Sequence, residues 1–159
     1  MIWLLVLLAA QAATPTQIER GEALFFDSAH GCGNCHAVKG KGTAAGADLK
    51  EIAPLSPPAV AMAIRSTVTQ YVVVLKLKSG RSLPAMPPKS DQVYDLSKMP
   101  PEAVNITADP VDSTSPNADW KHPPSQQKLS PQELADLVAY IRYAGANIRQ
   151  KVDPDDMPQ

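Results

Sequence analysis

Two cysteines and a histidine fall within five residues, Cys32-Gly33-Asn34-Cys35-His36, and the 159-residue chain has no other cysteine. The two-residue spacer lets both thiols reach one edge of a porphyrin and add across its two vinyl groups. The adjacent histidine then lies under the ring and offers an imidazole nitrogen to the iron. The pentapeptide therefore reads as a covalent attachment site for one haem c through Cys32 and Cys35, with His36 as an iron ligand. Two other chemistries use the same residues. An exported chain could close a short disulfide, and a C-x-x-C pair could be a thioredoxin-type redox centre with a lowered thiol pKa. The redox centre normally starts a helix in a βαβ context, and nothing around residue 32 alternates strand and helix in that way.

Two helices have to position such a site. Thr16 and Glu19 form a T-x-x-E capping box, and Gly21 and Phe25 share a face of the helix that follows, which should end near residues 26–28. Ser130-Pro131-Gln132-Glu133 opens the second, with a capping serine, proline at the first position and glutamate at the third. Leu134, Leu137, Val138 and Ile141 repeat along one stripe, with Tyr140 beside it and Gly145 as a natural C-terminal stop. The two helices are expected to cross with Gly21 and Phe25 against Leu137 and Tyr140.

Between them lies a short helix over about residues 57–66, with Met62 read as core. The pattern then turns to β: Tyr71 to Lys78 as a strand, a turn at Ser79-Gly80 and a return over Arg81 to Leu83. Further short strands are expected at Gln92 to Leu96 and Val104 to Thr107. Residues 70–113 thus read as a small antiparallel β insertion, its first strand free to pair at an edge with a partner or to cover the haem edge. Sixteen prolines, concentrated in the middle of the chain, favour loops and short elements there.

The first ten residues are almost wholly apolar and are followed by Ala10-Gln11-Ala12, a small-x-small cleavage pattern. Residues 1–12 read as a secretory signal peptide, although no Lys or Arg precedes the apolar run. A membrane attachment follows only if that segment stays uncleaved. Residues 13–149 form one domain, and the Pro- and Asp-rich residues 150–159 are expected to be disordered. Fifteen basic and sixteen acidic side chains nearly cancel, which argues against nucleic acid as a partner.

With these parts in order, the chain resembles the class I, mono-haem cytochrome c family. The resemblance rests on Gly21-Glu22-Ala23-Leu24-Phe25, on Cys32 to His36, and on Leu134-Ala135-Asp136-Leu137-Val138-Ala139-Tyr140-Ile141. It spans roughly residues 16–66 and 118–146. The β insertion is similar to that of some bacterial members, especially of acidobacterial type. The resemblance implies a mainly α fold with a small antiparallel insertion, and a periplasmic electron carrier rather than an enzyme. It also implies partners among periplasmic redox proteins: a dehydrogenase, a quinol-oxidising complex or a terminal oxidase. Where the family has Gly-Pro-x-Leu, this chain has Gly46-Ala47-Asp48-Leu49, so the Ala47 carbonyl takes the place that accepts the Nδ1 proton of His36. Where the family supplies a methionine before the last helix, this chain has His122, which implies histidine ligation on both faces of the iron. Met86 and Met99, each in a Met-Pro-Pro tripeptide, remain alternatives. Trp120 could pack on the haem or donate to a propionate, Lys121 could offset propionate charge, and both could equally be ordinary surface anchors. His30 reads as a loop residue. A haem sensor with a weak sixth ligand and a cytochrome subunit of a larger dehydrogenase are the other functional readings.

Overall fold

The computed structural model describes residues 15–28, 30–66, 71–123 and 129–158. The segment read as a signal peptide lies outside them. Helix α1 (Gln17–Phe26) starts at the expected capping box: the Thr16 hydroxyl accepts from Glu19 N–H, and the Glu19 carboxylate accepts from Thr16 N–H at 2.6 Å. A single turn, α2 (Cys32–Cys35), carries the cysteines, and a two-residue ribbon follows, β1 (Ala37–Val38) against β2 (Lys41–Gly42). Helix α3 (Pro57–Arg65) starts on prolines, whose missing N–H groups cost nothing in a first turn. Helix α4 (Pro131–Ala146) has a second capping box at Ser130 and Glu133.

Helices α1 and α4 cross where Gly21 sits on the Asp136 carbonyl and the Tyr140 side chain. A Cβ at residue 21 would collide with both. Phe25 packs on Tyr140 with ring centroids 5.4 Å apart. Leu134, Leu137, Val138, Tyr140 and Ile141 are all essentially buried, each such side chain contributing about 1.5–3 kcal/mol. The crossing is pinned by Arg20, whose guanidinium donates to both oxygens of buried Asp136 at 2.7 and 2.9 Å, while Gln132 donates to the same carboxylate at 2.7 Å. Removing that carboxylate from water is tolerable because its oxygens are occupied by donors.

The insertion forms two antiparallel pieces. Strand β3 (Val73–Leu77) lies between β4 (Ser82–Ala85) and β7 (Val111–Pro116), and β5 (Gln92–Asp95) pairs with β6 (Glu102–Asn105). Leu75, Leu77, Leu83, Ala85, Val93 and Val104 make a core separate from that of the helices.

Several expectations need correction. The insertion runs on to Asn117, whose N–H bonds Val72 O, because β7 was not legible: Val-Asp-Ser-Thr-Ser-Pro is polar and exposed, a solvated edge strand. Strand β6 spans Glu102–Asn105, beginning two residues before the expected Val104 to Thr107. Strand β3 is the centre of its sheet and has no open edge for a partner. Gly145 lies inside α4, pressed on Ala53, and the left-handed stop falls at Asn147 (φ +56°). Met62 is 64% exposed and is not core. Residues 151–158, expected to be disordered, are ordered: Val152 and Met157 bury their side chains in the helical core, and Gln17 bonds both Val152 backbone groups. The fold is four helices with small antiparallel sheets, strand being a larger share than a mainly α reading implies.

Candidate functional site

A cavity of about 680 Å³ lies between the helical core and the β insertion, within the size range of cofactor sites. Cys32, Cys35 and His36 stand on one wall, Leu137 and Ile141 of α4 and Ile64 of α3 supply apolar surface, and Met86, Leu96, Met99, Trp120 and His122 complete it. The insertion therefore forms part of the cavity wall.

His36 ends the α2 turn, its N–H bonding Cys32 O at 2.8 Å. Its Nδ1 donates to the Ala47 carbonyl at 2.8 Å, so the backbone serves where proline is absent. Gly46 makes this approach feasible: a Cβ there would lie 2.8 Å from His36 Cε1 and 3.1 Å from Nδ1. Burial holds His36 below the ordinary histidine pKa; the Ala47 carbonyl opposes this and His122 adds to it. The ring is thus neutral near pH 7, with its proton at Nδ1.

His122 faces it. Its Nδ1 donates to Pro123 O at 3.0 Å, and its Nε2 lies 3.4 Å from His36 Nε2. The ring planes differ by 10°, and the centroids are 5.7 Å apart. That separation exceeds the nitrogen separation by about one ring width, so the imidazoles are end to end, not face to face. Both point Nε2 at one place. Among the described residues no group of three or more His, Cys, Asp or Glu could hold a metal ion. The pair could supply two nitrogen donors to a metal brought in by another molecule.

The thiols behave unlike a redox dithiol. They are unpaired with each other, and burial pushes Cys32 up to about 11 and Cys35 in the same direction. A thioredoxin-type centre lowers its thiol pKa. Two thiols and two facing imidazoles around an apolar cavity fit the donor chemistry of a covalently bound haem.

The remaining sequence candidates separate cleanly. Trp120 is half-buried on the cavity wall, edge-on to His122 with centroids 6.1 Å apart. Lys121 is exposed and outside the cavity wall. Met86 is half-buried and Met99 62% exposed, both on the wall. His30 is a loop residue on the wall, bonded through Nδ1 to Asp27 at 2.7 Å. Sequence reasoning missed Lys98, which reaches the cavity from the insertion; no local motif announces it. It also missed the steric need for Gly46, although the Gly-x-x-Leu spacing carried that signal.

No curated protein matches the chain. A profile of the cytochrome c family, by contrast, matches residues 18–145, most of the chain, including the cysteine pair, both facing histidines and the crossing helices. The chain belongs to the cytochrome c family of haem-binding electron carriers.

Proposed function

We propose that this protein is an exported, class I one-electron carrier with a single haem c, attached through Cys32 and Cys35 and ligated axially by His36 and His122. The observation that carries this reading is the end-to-end approach of the two Nε2 atoms across the cavity. Each metal–imidazole bond of a first-row ion is about 2 Å, so a slight opening of the 3.4 Å gap would seat an iron between them. The single C-x-x-C-H motif supports one haem.

When bound, the haem supplies an iron that alternates between ferric and ferrous states. The chain's own work is to hold and tune it. Ala47 fixes the His36 ring and, by accepting a hydrogen bond from Nδ1–H, makes the imidazole a better donor. Pro123 does the same for His122 through its carbonyl. Leu137, Ile141 and Ile64 line the cavity and would keep water from a bound porphyrin. Two imidazoles predict a lower reduction potential than histidine with methionine.

Met86 and Met99 line the same cavity and are the alternative sixth ligands. A sensor reading would require a weak or absent sixth ligand, which the facing histidines disfavour. The docking role of the insertion in a larger dehydrogenase is disfavoured because its central strand is paired on both sides and its apolar residues fill its own core. The apolar first ten residues support export, and with it periplasmic redox partners: a dehydrogenase, a quinol-oxidising complex or a terminal oxidase. His122→Ala tests the ligand assignment. The ferric low-spin spectrum of the holoprotein should become high-spin; an unchanged spectrum would rule His122 out.

A further inference from the structure

The cavity wall is almost devoid of charge. Among its described residues there is no carboxylate and no arginine, and Lys98 is the one ammonium group. Haem carries two carboxylates on its ring. Carboxylates beside an apolar, low-dielectric wall attract any available counter-charge strongly. Lys98 is exposed and makes no ion pair among the described residues.

Its backbone position is built. Asp95 at the end of β5 is 4% exposed and accepts from Ser97 N–H, the Ser97 hydroxyl and Arg81 Nη2, the last at 2.9 Å. Lys98 N–H then closes the turn on Asp95 O at 3.3 Å. Because Arg81 neutralises Asp95, that carboxylate does not compete for Lys98. Attachment through Cys32 and Cys35 would hold the vinyl groups at the α2 wall, leaving the propionates to the rest of the porphyrin rim.

We propose that Lys98, held at the cavity rim by the Asp95 turn, is the counter-charge for the haem carboxylates, so that the β insertion raises the reduction potential of the iron. The proposal rests on the haem occupying this cavity. A cation beside the propionates stabilises the ferrous state, which carries one positive charge fewer than the ferric.

The test is spectroelectrochemical titration of the holoprotein and of Lys98→Gln, Lys98→Arg and Lys78→Gln. Lys78 is a second exposed lysine of the insertion, outside the cavity wall. Lys98→Gln should lower the midpoint potential, by an amount that shrinks as salt is added. Lys98→Arg should restore the parent potential, and Lys78→Gln should leave it unchanged. A Lys98→Gln potential equal to the parent's, or equal shifts for Lys78→Gln and Lys98→Gln, would overturn the proposal. Parent protein lacking thioether-linked haem by denaturing gel and absorption would overturn the haem reading itself, and this one with it.

Discussion

Gly46→Ala is a perturbation whose size can be worked out. The new Cβ would lie 2.8 Å from His36 Cε1, 3.1 Å from Nδ1 and 3.3 Å from Cys35 O. Carbon atoms rest at about 3.5 Å or more, so the imidazole must retreat by roughly 0.7 Å on that criterion. The Nδ1–Ala47 bond, now 2.8 Å, would stretch beyond the usual limit of about 3.2 Å. Losing that bond costs about 1 kcal/mol and overpacking about 1–3 kcal/mol. Together these predict a fall in Tm of roughly 5–15 °C for a chain of this size, read by circular dichroism of the holoprotein. The potential should also rise, since an imidazole without its acceptor donates less to ferric iron. Gly80→Ala is the contrast: residue 80 has φ +90° and open space around it, so it loses about 1–2 kcal/mol from backbone strain with no change in potential. If Gly46→Ala retained both the parent Tm and potential, the argument that glycine makes room for a positioned His36 would be wrong.

Gly21→Ala should push α1 from α4, since its Cβ meets the Asp136 carbonyl, which cannot rotate away; a loss of about 3 kcal/mol or more in denaturant unfolding is expected, and parent stability would refute the close crossing. Asp95 gives a pH dependence: burial alone would raise its pKa, but the Ser97 and Arg81 hydrogen bonds together hold it below the ordinary value. With the folded value lowered, its contribution is complete above the unfolded pKa of about 3.9 and is lost as pH falls through the folded pKa. Thermal unfolding should therefore show Asp95→Asn destabilised at neutral pH and converging on the parent in acid. Ending the chain at Gln150 removes buried Val152 and Met157, and should cost about 3–6 kcal/mol by side-chain burial, measured by urea unfolding.

The helical half was legible because its signals are local. Thr16 with Glu19 and Ser130 with Glu133 set the helix starts, and the spacing of Gly21 with Phe25 and of Leu137 with Tyr140 identified the faces that cross. The Cys32 to His36 motif is equally local, and the family frame brought His122 to the opposite wall although 86 positions separate it from His36. What failed depends on distant partners. Strand β7 is polar because its edge faces water, so no apolar alternation marks it. Met62 sits at helical spacing but on a face left exposed among the described residues. Val152 and Met157 look like members of a charged tail until the groove they fill is known. Lys98 has meaning only once the insertion has folded against the cavity.

The most direct test of the central claim is the near-red and near-infrared absorption and magnetic circular dichroism of the ferric holoprotein, which report the two axial ligands of a low-spin haem. His36 and His122 as the pair predict a bis-imidazole signature with no thioether-to-iron charge-transfer band. A thioether band would contradict that, and would place Met86 or Met99 at the iron instead.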